Sequence, residues 1–389
     1  SAVFDGAKLT NVDFSDAQLT SARFHGAQFH AVKMHRAWVD YRAVPVAHWG
    51  DVDLAGATVR VEGNAAQGVD FAGRDLSHVS WTFESHVDLS HSSWKGTGAS
   101  FAGQNLSYAN LTEADLRGLN FAGANLTGAN LTGVDLTDAN LKGANLSGVT
   151  GAFPILHNAD LTGAVFNTAG TTTLYGADFT GASLKNAQLS HAILSYCDLS
   201  TGTTTLQGAN LVGAKLVGSN LAHADLTSVT AHGATLDQAN LVGANLTKAD
   251  FRKDVNSGNT SLEKAYFCGA QFSSTNFGQA VLTHAYMPLT ASTVKGPDGN
   301  DLPCAGVDLG GAAVKTDSQT VCPNGNHPSS GACSGGEWST PGSPAVPCCT
   351  PKKLANGSWQ TCPAKLKTGK PCAVRCDCHS QSCSNSVCD

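Results

Sequence analysis

Charge is scarce in this 389-residue chain. Only 14% of its residues are Asp, Glu, Lys or Arg, and 30 acids against 24 bases leave a net charge of −6. No basic stripe offers contacts to a phosphate backbone, which argues against nucleic-acid binding. Long apolar runs are missing, so neither a membrane span nor a signal peptide is expected. The sequence begins at Ser1 instead of methionine, as a processed, secreted chain would. No phosphate loop, nucleotide fingerprint or Ser-His-Asp arrangement is found, and no cofactor is expected. Cysteine is nearly absent from the first 303 residues, where only Cys197 and Cys268 occur, yet 11 of the 13 fall between Cys304 and Cys388.

A strict five-residue repeat dominates what is there. From Gln104 to Gly148 it reads QNLSY, ANLTE, ADLRG, LNFAG, ANLTG, ANLTG, VDLTD, ANLKG, ANLSG. A period of five fits neither the 3.6 of a helix nor the 2.0 of a strand. It predicts a solenoid in which each repeat forms one side of a coil. The large central residue and the small residue two places before it should point inward. The Asn or Asp before the centre and the polar residue after it should point outward, with glycine easing the corner.

The pattern resembles the pentapeptide-repeat family over roughly residues 2 to 290. That resemblance implies an all-β, right-handed quadrilateral β-helix with four repeats per coil, spanning residues 1–290. Residues 20 apart then stack at about the 4.7–4.9 Å of neighbouring strands. Leu106, Leu126 and Leu146 should form one core column, with Leu111 and Leu131, Leu116 and Leu136, and Phe121 and Leu141 forming the others. Outside, Asn105, Asn125 and Asn145 should make a ladder, and Asp115 should lie over Asp135. At this spacing the rod has roughly 14 coils and a length near 65 Å.

Breaks in the motif suggest loops near Arg42–Asp51, Glu62–Asp70, Phe83–His86, Val149–Asn158 and Asp254–Ser261. Two more are expected at Gly170–Thr173 and Gly202–Thr205. Loops are where a solenoid carries specific binding, and tolerated insertion is the bland reading.

Residues 291–303 read as a linker, and 304–389 as a small module held by disulfides, because so little apolar material cannot fold alone. The disulfide candidates are Cys268, Cys304, Cys322, Cys333, Cys348, Cys349, Cys362, Cys372, Cys376, Cys378, Cys383 and Cys388, and spacing fixes no connectivity. One option joins Cys268 to Cys304 and staples the module to the rod. Cys197 occupies a small inward position and is expected as a buried free thiol. Zinc at Cys376, Cys378 and His379 competes with disulfides, and calcium near Asp298, Asn300 and Asp301 competes with a plain turn. No metal site is assigned. The N-x-S/T triplets, such as Asn110–Thr112, follow automatically from the repeat.

Catalysis has little support, because successive repeats aim their outer residues at different sides of a rod. His25, His30 and His35 illustrate this. The favoured reading is a non-enzymatic, extracellular or cell-surface structural rod. It would form a homo-oligomer by end-to-end stacking into a fibre or layer, since an open coil exposes strand edges. The alternative is a monomeric binding protein or adhesin for an extracellular protein or glycan. Trp338, Trp359, Trp38, Trp49 and Tyr41 would then be contacts or local core. Members of the resembled family that mimic DNA and act on topoisomerases suggest a third reading. It is disfavoured, since residues 1–303 hold only eight more acids than bases (25 against 17).

Overall fold

A computed structural model of the chain describes residues 2–40, 52–64, 66–72, 74–166, 171–200, 203–283 and 285, with the backbone alone for 292–295 and 301–304. Among them the fold is all-β. Near the start lie strands β1 (Lys8–Thr10), β2 (Gln18–Leu19), β3 (Gln28–His30), β4 (Val32–Lys33), β5 (Trp38–Asp40), β6 (Val52–Asp53), β7 (Thr58–Val61) and β8 (Ser80–Phe83). Further on, single parallel bridges replace strands, apart from β9 (Thr150–Ala152) and β10 (Thr173–Tyr175). Across the stretch read as a linker and into the first residue of the module, β11 (Ser292–Lys295) pairs antiparallel with β12 (Asp301–Cys304). The intervening Gly-Pro-Asp-Gly-Asn is a turn-forming composition.

One unbroken ladder runs through Gln18, Trp38, Thr58, Ser80, Ser100, Asn120, Asn140, Asp160, Ser183, Thr205, Asp225, Asn245 and Gln271. A single repeat shows how the coil is made. The N–H of Leu126 donates to Asn145 O at 2.8 Å, Gly128 turns the corner at φ +68°, and Ala129 N–H donates back to Leu126 O at 2.9 Å. The left-handed corner residue is what bends the chain every five residues. Inside, Leu106, Leu111, Leu116, Phe121, Leu126, Leu131, Leu136, Leu141 and Leu146 are all at most 1% exposed. Truncating one of these to alanine would cost ~2–5 kcal/mol.

Register locates the true insertions. Val149–Asn158 adds none, because Asn130–Thr150, Asp135–Ile155 and Asn140–Asp160 all pair 20 apart. Pro154 sits there buried at the small inward position. Arg42–Asp51 lies outside the described residues; the flanking pairs Lys33–Asp53 and Val39–Val59 are each 20 apart. The expected loops at Glu62–Asp70 and Phe83–His86 are misplaced. The columns Asp70–Ser93–Asp115 and Ser80–Ser100–Asn120 are ten residues apart in the first of these coils, seven in the second and five in the third. The extra chain therefore lies in Phe71–Val79 and Trp94–Ala99, where Leu76 N–H bonds Thr97 O at 2.7 Å. Large side chains fill this widened section: Phe71, Trp81, Trp94 and Phe101 are fully buried and pack ring against ring. Real insertions follow Phe166, Ser200 and Lys253, where paired residues become 23, 22 and 26 apart (Val165–Gln188, Ser183–Thr205, Thr235–Ser261).

Candidate interaction surfaces

The outward residues form columns that follow the coil stacking. Asn125 Nδ2 donates to Asn105 Oδ1 at 3.1 Å, and Thr127 donates to Asn125 Oδ1 through its N–H at 3.2 Å and its hydroxyl at 2.7 Å. Asparagine therefore does two jobs: it caps its own corner and ties it to the previous coil. The same geometry recurs at Asn140 over Asn120 and Asn240 over Asn220.

Asp115 and Asp135 stack as bridge partners. Arg117 holds Asp115 in a two-pronged grip, with Nε 2.7 Å from Oδ1, and its Nε lies 3.4 Å from Asp135 Oδ2. Burial pushes the Asp115 carboxyl up, but the Arg117 bonds outweigh it and hold the group below the usual range. Asp250 follows the same logic between Arg252 and His232 Nε2, the latter 2.9 Å away. Asp16 is likewise gripped by Arg36. These acids are neutralised in place.

Each real insertion closes on a buried threonine at a small inward position. Thr260 Oγ1 accepts from Gly233 N–H at 2.8 Å and faces the carbonyls of Ala231 (3.0 Å) and Arg252 (2.8 Å). Thr204 bonds Gly181 N–H and Ser200 O, both at 2.8 Å. Thr172 bonds Gly148 N–H at 3.0 Å and the carbonyls of Leu146 and Phe166. The loops are thus anchored, and the longest presents Val255 to solvent at 91% exposure above an Asp254–Gly258 bridge.

Aromatic residues mark one further surface. Phe153, Tyr175 and Tyr196, all half-exposed, climb three coils edge to face, with centroids 5.8 and 5.3 Å apart. Trp38 is 43% exposed. Tyr41, Trp49, Trp338 and Trp359 lie outside the described residues, as do Asp298 and Asn300 and the cysteines beyond Cys304; Asp301 and Cys304 are described by backbone alone.

Cys197 is buried and free, its thiol donating to Leu174 O at 2.9 Å. Cys268 is disulfide-bonded, to a partner beyond the described side chains. Cys268 follows the central Phe267 and so takes an outward position of its repeat. It does lie outside the main core, but it is 2% exposed and packs with Tyr266 and Val242 in a small cluster of its own. Among the described residues no helix is long and apolar enough to cross a membrane.

Eight copies of the pentapeptide-repeat pattern match the chain, at residues 1–36, 85–118, 97–133, 129–167, 172–200, 204–241, 224–253 and 258–287. HetL, a pentapeptide repeat protein involved in heterocyst differentiation regulation in the cyanobacterium Nostoc sp. strain PCC 7120, is similar. It is 22% identical over 77% of this chain and 93% of its own, with a TM-score of 0.20. A trypsin-treated form of QnrB1, a plasmid-mediated fluoroquinolone resistance protein, is 18% identical over 54% of this chain and 89% of its own, with a TM-score of 0.22. A pentapeptide repeat protein of the Arabidopsis thaliana thylakoid lumen is 22% identical over 41% and 69%, with a TM-score of 0.15. Superpositions this loose add nothing to the repeat match. No curated protein matches the chain.

Proposed function

As the chain belongs to the pentapeptide-repeat family, with more than half of its residues in matched repeats, we propose that it is a non-enzymatic structural rod of an oxidising extracellular compartment that stacks end to end. The observation that carries this reading is the coil stack itself, one parallel ladder from Gln18 to Gln271 that makes a stiff rod built of strand edges. Phe4 and Phe14 remain half-exposed, whereas central residues deeper in the rod are sealed. Phe4 lies 5.2 Å from Phe14 and stacks at 4.9 Å on the buried Phe24, so the Phe4 and Phe14 rings form one apolar surface over it. A further coil set on this surface would seal it and satisfy the strand edge, whichever chain supplies it. In our reading a second rod does so, in a head-to-tail contact that propagates. The disulfide at Cys268 and the cysteine density after it support the compartment.

Sedimentation and negative-stain imaging of the native chain test this. Filaments that dissociate when Phe14→Asp is introduced are expected, and a Phe14→Leu control should retain them. Monomeric rods at every concentration would overturn it.

A monomeric binding protein is the second reading, favoured by the Phe153–Tyr175–Tyr196 strip, which offers stacking surface for a glycan or protein. DNA mimicry is the weakest, because Asp16, Asp115 and Asp250 are each held by an arginine.

A further inference from the structure

The coil ladder has a gap between Val52–Ala55 and Arg74–Val79. Everywhere along the regular rod, the N–H of a central residue bonds the carbonyl one coil on, as Met34 does to Asp53 at 2.8 Å and Leu76 does to Thr97 at 2.7 Å. Leu54 N–H and Asp75 N–H should bond Asp75 O and Val52 O in the same way. Neither bond is made, and no Asp53–Asp75 bridge forms. The coils rejoin at once, Gly56 N–H bonding His78 O at 2.8 Å. The cause is the ten-residue wall between Asp70 and Ser80, which is too long to follow the square coil that precedes it.

The gap is a groove of about 410 Å³ lined by Val52, Leu54, Leu76, Val79, Arg74 and His78, with Asp53, Ala55 and Asp75 at its edge. Its apolar walls reach solvent at 6%, 8%, 4% and 7%, against at most 1% for the Leu106–Leu146 stretch. Charge in the groove is uneven. Asp53 is held by His35 Nε2 at 2.6 Å and by Ala55 N–H at 3.1 Å. Asp75 accepts the N–H and hydroxyl of Ser77 at 3.1 and 2.6 Å. Arg74 is half-buried and makes no ion pair, although most other arginines of the described rod grip a carboxylate.

We propose that this groove receives the C-terminal end of a polypeptide whose last residue is apolar. The terminal carboxylate meets the Arg74 guanidinium, the last side chain lies on Leu54, Leu76 and Val79, and the last amide uses the open backbone groups of Leu54, Asp75 and Val52. An arginine and unbonded N–H groups select a carboxylate. The open carbonyls select an amide beside it, which a small inorganic anion lacks. The rejoined bond at Gly56 closes the groove at one end, so a chain end fits and a continuous strand does not. This inference stands independently of end-to-end stacking, since it uses a side of the rod and a different partner.

The test is fluorescence anisotropy of the full chain with an N-terminally labelled GSTVL peptide, as the free acid and as the C-terminal amide. Saturable binding of the acid is expected, weakened at least about tenfold, or ~1.4 kcal/mol, by amidation. Arg74→Gln should weaken the acid equally and leave the melting curve unchanged. Amidation changes only the peptide, so misfolding of a variant cannot imitate it. Equal affinity for the two peptides, unchanged binding to Arg74→Gln, or no saturation at millimolar protein would each overturn the proposal.

Discussion

The ring of Tyr108 lies on Gly128, one coil further along: a Cβ on Gly128 would come within 2.5 Å of two ring carbons. Both residues turn corners in the left-handed region, at φ +58° and +68°. The relationship recurs for Asn186 and Gly208, His191 and Gly213, Tyr196 and Gly218, and His223 and Gly243. A side chain at one corner thus requires glycine at the next corner below it. Gly128→Ala should destabilise the rod by ~2–4 kcal/mol, combining the backbone cost with overpacking. Gly123→Ala, at φ +65° with nothing within 4 Å, should cost only ~1 kcal/mol. Adding Tyr108→Ala should recover most of the difference. Urea unfolding midpoints decide it, and equal losses at Gly123 and Gly128 would refute the interlock.

Thr260→Val should cost ~1–3 kcal/mol, because it keeps the volume but leaves the Gly233 N–H inside the wall with only its long 3.3 Å bond to Arg252 O. Thr172→Val and Thr204→Val should behave alike. A half-buried control on the outer face, Thr127→Val, retains its backbone bond to Asn125 and should lose less than half as much. If the inward and outer-face changes shift the unfolding midpoint equally, these hydroxyls do not anchor the insertions.

These two devices also show what was legible in sequence. The five-residue period made the coil, the inward columns and the Asn ladder readable, because each follows from position within the repeat alone. Insertion sites were harder. At Val149–Asn158 the motif is broken chemically, by Pro154 and Gly151, while the residue count is kept, and composition alone reads that as a loop. The sound marker was the Thr-Thr-Leu or Thr-Ser-Leu after each true insertion, at Thr172, Thr204 and Thr260, since only a hydroxyl can satisfy the chain re-entering there. The groove beside Arg74 had no sequence signal. It is a mismatch in length between neighbouring walls, and only the three-dimensional register reveals it.

Acid should weaken the rod through Asp115 and Asp250. Burial raises both carboxyls, but the bonds from Arg117 and from Arg252 and His232 bring them below the ordinary value. A carboxylate depressed by folding contributes fully above its unfolded pKa of ~3.9, and the contribution is lost as pH falls through the folded value. Both pairs are partly solvated, so each is worth ~0.5–1 kcal/mol. Unfolding free energy should be flat from about pH 7 to 5 as far as these groups are concerned and decline below about pH 4. Arg117→Gln should make that decline shallower. A variant with the same acid slope as the parent would show that Asp115 does not draw its depression from Arg117.

Cys197 gives the sharpest chemical prediction. Its thiol replaces the usual alanine at an inward position, is fully buried, and is pushed up to about 12, chiefly by burial. Only the thiolate reacts with alkylating agents, and at pH 8 a group of this pKa is ionised roughly once in 10⁴, given tenfold per unit. Iodoacetamide should therefore leave Cys197 unmodified in the native chain at pH 8 for as long as the coil stays closed, and label it within minutes in denaturant. Peptide mass spectrometry reads the site directly. The labelling rate should rise in Gly218→Ala, because the Tyr196 ring lies against Gly218 and Tyr196 directly precedes Cys197, so a clash there loosens the wall that shields the sulfur. Rapid native labelling would mean that the wall opens locally far more often than a continuous ladder allows.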